Sequence, residues 1–173
     1  VRDLTFDPNL RCGYKVVQAW EPDLERVADA LAACDHLVVG FPMWWGSEPA
    51  QLKGLIDRVL LPGFAFRYHP EDPFWDRLLA GRSADAIITT ATPSWYLRFA
   101  YGNPVMRRWR GQILGFCGFK PVRICKFGPV RYGGAEKNIA SWLHKVERLA
   151  ASAGSLRRGA RIDRPVGEGS PCC

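Results

Sequence analysis

No two of the six cysteines stand in a C-x-x-C pair, and no histidine sits at ligand spacing from any of them, so no zinc site is expected. Their scatter, at positions 12, 34, 117, 125, 172 and 173, offers no disulfide framework, and a reducing cytoplasm is the expected setting. No apolar run is long enough to span a bilayer, and no segment reads as a signal peptide. Internal repeats and nucleic-acid recognition modules are also missing. The Cys172–Cys173 pair reads as free thiols on a frayed tail rather than as a lipid anchor.

What is there is aromatic and basic. The 173 residues fit one domain, and 47% hydrophobic residues suffice for a core. Seven Trp, nine Phe and five Tyr gather in a few loops, where exposed aromatic clusters line sites for flat ligands. The net charge is +7 and the pI about 9.3. A solvated basic surface accounts for this; attraction to an anionic partner such as a pyrophosphate cofactor is the sharper alternative.

Periodicity alternates between helices and short apolar strands. Leu24, Val27, Ala28, Leu31 and Ala32 mark an amphipathic helix near 23–34, with Pro22 suited to its first turn. LVVGF, residues 37–41, is apolar on both faces and reads as a buried parallel strand. Leu52, Leu55, Ile56, Val59 and Leu60 mark a second helix, opened near Ser47–Pro49 and stopped by Pro62–Gly63. A short helical piece is expected at 74–80, a buried strand at 84–91, a helix over 104–117 and a last helix over about 135–152. VRICKF, residues 122–127, carries charges that suit a sheet edge. Strands separated by helices imply a parallel, doubly wound α/β sheet over residues 1–154. From Ser155 to Cys173 there is no hydrophobic period, and a disordered tail is expected.

In open α/β sheets, ligands bind beyond the carboxyl ends of the strands. Two segments occupy such positions: PMWWGSEP, residues 42–49, and TTATPSWY, residues 89–96. Both combine aromatic faces for stacking, small residues for close backbone approach, and N–H or hydroxyl donors, as a planar, partly polar ligand requires. Spacing alone leaves packing of Trp44 and Trp45 under a helix or in an interface as the commoner role.

The wording goes further. FPMWWGSEPAQLKGLIDRVLLPGFAF (41–66), FWDRLLAGRSADAIITTATPSWY (74–96), YGNP (101–104), LGFCGFKPVR (114–123) and FGPV (127–130) resemble, in order, the NAD(P)H dehydrogenase (quinone) family of flavodoxin-like proteins, over about residues 3–152. The resemblance implies that Pro42, Met43, Trp44, Trp45 and Gly46 line the ring of FMN or FAD. It places Thr89, Thr90, Ala91 and Thr92 at the pyrimidine end of that ring, where donors meet the charge of reduction. Tyr96 and Tyr101 would border the pocket for nicotinamide and quinone as the catalytic pair, with Trp95 and Phe99 as wall candidates; Phe64, Phe66 and Tyr68 would form a rim or dimer contact. Some relatives carry a His where Tyr101 stands and a Gly pair where Ala91–Thr92 stand, so the resemblance does not carry over their acid assistance or their nicotinamide contact at this loop. The implied activity is two-electron reduction of a quinone or similar acceptor by NAD(P)H, in ping-pong order, by a homodimer.

The family's pattern begins with a strand, a phosphate loop and a helix, followed by a second strand; VRDLTFDPNL resembles the segment just after that second strand. About three of the five strands are therefore expected, with LVVGF at an unpaired edge. A fragment of a longer chain, a misassigned start and a degenerate product all fit this pattern. Two other functions compete: a non-catalytic interaction subunit of the same fold, and a nucleic-acid binder using Arg98, Arg107, Arg108, Arg110, Arg123, Lys126 and Arg131. The second is disfavoured, because Arg107, Arg108 and Arg110 mostly lie off the apolar face, as solvated residues do. His36 reads as a strand-start residue, His69 and His144 as surface groups, and Asp57 and Asp76 as partners of the nearby Arg58 and Arg77.

Overall fold

The computed structural model describes residue 1 and residues 3–11, 13–14 and 18–161; Cys12, Cys172, Cys173 and the rest of the tail beyond Arg161 lie outside the described residues. In chain order the elements are α1 (Pro22–Ala33), β1 (His36–Pro42), α2 (Ala50–Val59), β2 (Phe66–Tyr68), β3 (Trp75–Arg77), β4 (Ser83–Thr89), α3 (Ser94–Phe99), α4 (Pro104–Arg107), a π-helical stretch (Arg108–Gly115), β5 (Val122–Phe127) and α5 (Gly134–Ala153).

β1, β4 and β5 form one parallel sheet in the order β1-β4-β5. Gly40 pairs with Ile87 and Ile87 with Cys125, so the three strands end level with one another. β4 is central, which explains why its residues are buried on both faces. One face presents Leu37, Val39, Phe41, Ala84, Ala86, Ile88, Val122 and Ile124 to a core shared with Leu24 and Ala28 of α1, Leu52 and Val59 of α2, and Trp109 and Leu114 of the π stretch. The opposite face carries α5, held by Arg123. Its guanidinium grips buried Asp85 at 2.6 and 2.5 Å and donates to Ser152 Oγ and the Leu149 carbonyl. Phe127 adds a tilted ring contact with Trp142, 5.4 Å between centroids. Helices on both faces of a parallel sheet are the doubly wound arrangement expected from the alternating pattern.

β5 lies at one edge of the described sheet, as its charges indicated, and β1 lies at the other. On the α5 side of β1, Val38 is 59% exposed. Residues 155–161, at the start of the segment read as a tail, run back along the sheet. Arg158 donates to Ser83 Oγ, and Arg161 reaches Asp35 and the Ala33 and Cys34 carbonyls at the end of α1.

Three local expectations are corrected. The 74–80 stretch is not helical: Trp75–Arg77 pairs antiparallel with Phe66–Tyr68. The hairpin wins because Trp75 stacks on Phe116 at 4.5 Å and donates to its carbonyl, contacts a free helix would forfeit. Asp57 pairs with Lys53, one helical turn away, and not with Arg58. Arg58 is fully buried and serves the N-terminal segment, donating to the Asp7 and Ala19 carbonyls and to Glu21. Asp76 pairs with His69 and not with Arg77, which lies over the Trp75 ring.

His69 bridges Asp72 and Asp76 at 3.0 and 3.2 Å across the β2–β3 hairpin. Its pKa is raised above the ordinary 6.5, first by the hydrogen bond to Asp76 and then by that to Asp72. A raised folded-state pKa means that the bridge contributes fully below the unfolded value and is lost as pH rises through the folded one. NMR titration of His69 is expected to give a midpoint above 6.5 that returns toward 6.5 in Asp76→Asn; an identical midpoint in both proteins would remove this bridge from the account.

Candidate functional site

Because the strands end level, the segments beyond them leave the same end of the sheet. Met43 N–H donates to the Thr89 carbonyl at 2.7 Å, tying the turn after β1 to the turn after β4. Thr90 N–H donates to the Phe127 carbonyl, and Val130 N–H to the Thr90 carbonyl, each at 2.9 Å, which adds the segment after β5. Gly128 makes this third approach feasible, since a Cβ there would stand 2.6 Å from both the Thr90 carbonyl oxygen and its methyl group.

The three segments enclose an open cleft of about 510 Å³, lined by Pro42, Met43, Trp44, Trp45, Thr89, Thr90, Ala91, Val130 and Arg131. Seven of the residues singled out in the sequence thus share one wall system. Gly46 and Thr92 belong to the same turns without lining the cleft. Thr92 N–H is taken by Thr90 Oγ1 at 3.1 Å. Tyr96 and Tyr101 also stand off the wall, in edge-to-face contact with each other at 5.4 Å and with Trp95 packed on Tyr96 at 5.6 Å. Phe64 is buried against Trp20, while Phe66 and Tyr68 line a separate cleft of about 300 Å³ beside α2 and the π stretch. Val130 and Arg131 are lining residues that a site built from two turns omits. Their signal is the FGPV segment and the basic residue next to it.

The turn after β1 has a defined geometry. Trp44 and Ser47 exchange both backbone hydrogen bonds at 2.9 Å, and the two residues between them, Trp45 and Gly46, have φ of 49° and 74°. This is the pattern of a type I′ turn, in which Asn-Gly is favoured. Glycine suits the second position, but a tryptophan at the first carries strain of about 1 kcal/mol. The strained side chain does not recover this by packing. It is fully exposed, and Trp44 is 60% exposed beside it. Among the described residues, the N–H groups of Trp45, Gly46 and Ala91 have no acceptor. The rim therefore offers two aromatic faces and uncommitted backbone donors.

A buried ion pair holds the base of the turn. Glu48 is 4% exposed, and its Oε2 accepts from Arg108 and, at 3.0 Å, from Trp109 Nε1. Arg108 also donates to Ser47 Oγ at 3.1 Å. The other carboxylate oxygen and Arg108 Nε have no partner among the described residues. On the far side, Lys126 spends its ammonium on the Ser94 carbonyl and Asn103 Oδ1, and its pKa is lowered first by burial and then by Arg98. Among the described residues, no group of His, Cys, Asp and Glu is placed to hold a metal ion.

Two outcomes are expected of this loop. Trp45→Asn relieves the turn and raises stability by about 0.5 to 1 kcal/mol in urea denaturation. Glu48→Ala leaves Arg108 uncompensated and lowers stability by about 2 to 3 kcal/mol in the same assay.

The flavodoxin-like fold family model matches residues 1–150. NAD(P)H dehydrogenase (quinone) 1 of Rattus norvegicus is 34% identical over 137 residues, covering 74% of this chain and 48% of the relative. An FMN-dependent NADH:quinone oxidoreductase of Nitratidesulfovibrio vulgaris is 30% identical over 141 residues, covering 78% of this chain and 63% of the relative. The chain thus spans about half the length of the curated relatives it matches. The crystal structure of Smu.1420 from Streptococcus mutans UA159 superposes with a TM-score of 0.66 at 32% identity, covering 83% of this chain and 76% of that one. With its level parallel strands, its helices on both faces and a family match that runs from Val1 to the last helix, the chain belongs to the flavodoxin-like fold family.

Proposed function

We propose that the cleft holds the ring of a flavin, FMN or FAD, and that the protein to which this chain belongs is an NAD(P)H-dependent oxidoreductase reducing quinones or related acceptors. The observation that carries this reading is the meeting of Trp44–Trp45 and Thr89–Ala91 on one cleft at the carboxyl end of the sheet. The donor set supports it. A flavin ring is flat and bears acceptor atoms along one side, and the Trp45, Gly46 and Ala91 N–H groups are uncommitted donors beside aromatic faces. The names of the relatives point the same way, since both mention a reduced nicotinamide nucleotide and a quinone.

When bound, the flavin would supply the two-electron chemistry, taking hydride from a reduced nicotinamide and returning it to the acceptor. The chain's own part is to bind and polarise. Trp44 and Trp45 offer their faces to the ring, and Pro42 and Met43 close its edge. The uncommitted N–H of Ala91 favours negative charge at the polar end, as preorganised donors do at any developing oxyanion, while Thr89 and Thr90 shape the same wall. Tyr96 and Tyr101, off the cleft wall, are proposed to border the substrate side rather than to touch the ring. No side-chain nucleophile is required. A homodimer and a cytoplasmic setting belong to the same proposal; among the described residues no helix is long and apolar enough to cross a membrane.

The test is direct. Purified protein mixed with FMN is expected to retain yellow colour through gel filtration and to oxidise NADH or NADPH in the presence of menadione. Trp44→Ala and Trp45→Ala together are expected to lower flavin retention by at least about tenfold, since each stacked aromatic contributes on the order of 1 kcal/mol. A colourless protein that shows no flavin-dependent NAD(P)H oxidation would overturn the reading.

A further inference from the structure

Of the nine described residues lining the cleft, Arg131 alone is charged. Its backbone is fixed from both sides: the preceding Val130 donates to Thr90, and the Arg131 carbonyl accepts from Gly134 N–H at 3.0 Å. Its side chain is exposed and has no hydrogen bond or ion pair among the described residues. Two charges set behind the cleft wall are already committed. Glu48 is matched by Arg108 beneath the turn, and Lys126 is held by Ser94 and Asn103. Glu136, in the first turn of α5, comes near Gly133 but makes no ion pair with Arg131. A single uncommitted guanidinium thus stands on the wall of an otherwise uncharged, aromatic cleft.

We propose that Arg131 is the anion-recognising residue of this cleft, pairing with a negatively charged substituent on the planar ligand that lies against Trp44 and Trp45. The inference rests on the reading of the cleft as a site for a flat ring, and it adds the charge class of what that ring carries. Guanidinium suits the task because its planar fork matches phosphate, sulfonate and carboxylate groups with two parallel hydrogen bonds. The anion has two chemical sources: the phosphate of the cofactor, or an acidic substituent on the acceptor.

Tryptophan emission of the purified chain reads binding without any turnover. Two matched pairs separate the sources: FMN against riboflavin, and anthraquinone-2-sulfonate against 2-hydroxymethylanthraquinone. In the wild-type chain the anionic member of one pair is expected to bind at least about fivefold more tightly than its neutral partner, with the advantage growing as salt is lowered. In Arg131→Gln that advantage falls to about onefold while the neutral member's affinity stays unchanged; Arg131→Lys keeps part of it. Because Arg131 is exposed and unpartnered, both variants are expected to retain the wild-type circular dichroism spectrum. An advantage in the FMN pair alone assigns Arg131 to the cofactor, and one in the sulfonate pair alone assigns it to the acceptor. Equal affinities within both pairs, or an advantage that survives in Arg131→Gln, overturns the inference while leaving the flat-ring reading intact. Absence of binding by all four compounds overturns both.

Discussion

Level parallel pairing through β4 is the constraint on which the rest depends. A parallel sheet sends every strand's carboxyl end to the same side, and here the three ends also coincide in height. The segments after β1, β4 and β5 are therefore neighbours before any side chain is considered. Their remaining freedom is removed by three backbone hydrogen bonds, Met43 to Thr89, Thr90 to Phe127 and Val130 to Thr90. Thr90 sits at the centre of all this. It is 2% exposed, and its N–H, carbonyl and hydroxyl are each engaged by another segment or by its own turn. A ligand site assembled this way is rigid in backbone, so its recognition chemistry lies in whichever side chains project from a fixed frame.

Buried charge serves the same frame. Asp85 with Arg123, Arg58 with Glu21, and Glu48 with Arg108 each join elements far apart in sequence: β4 to β5, the N-terminal segment to α2, and the β1 turn to the π stretch, with Arg123 also donating to Ser152 and Leu149 of α5. Such pairs add little net stability against an apolar alternative, because desolvation cancels much of the attraction. Their value lies in direction. A guanidinium that must satisfy two carbonyls and a carboxylate, as Arg58 does, tolerates one placement of its neighbours where an apolar contact tolerates many. Breaking one partner is costly, which makes these arrangements all-or-none.

Legibility tracks the range of the forces involved. β1 and β4 are readable as strands because they are short apolar runs bounded by turn residues, although only β4 is largely buried and β1, at an edge, leaves Val38 exposed; α1, α2 and α5 are readable from periodicity. The two turns bearing Trp44–Trp45 and Thr89–Ala91 are readable as site candidates from composition and position after strands. What escapes the sequence depends on contacts between distant residues. Trp75–Arg77 is a strand because of Phe116, roughly forty positions away, and nothing in DRLL announces it. Arg58 reads as the partner of its sequence neighbour Asp57, whereas Lys53 takes Asp57 and leaves Arg58 to residues 37 to 51 positions distant. The apolar period locates the 104–117 helix but not its π-helical stretch, which directs both Arg108 and Trp109 at one buried carboxylate.

The distribution of charge around the cleft follows from that same π-helical stretch. A carboxylate one residue past Ser47 would ordinarily make the rim acidic and repel an anionic ligand. With Arg108 and Trp109 both delivered to Glu48, the carboxylate is drawn under the turn and neutralised, and the rim is left with Trp44, Trp45 and open N–H groups. Lys126, outside the cleft lining, is turned to Ser94 and Asn103. The Glu48–Arg108 pair cancels its own two charges and the Lys126 ammonium is tied to neutral acceptors, which leaves Arg131 as the charged side chain on the cleft wall among the described residues. The electrostatic character of the cleft is thus set less by the chain's overall basicity than by which charges the fold has already spent on itself.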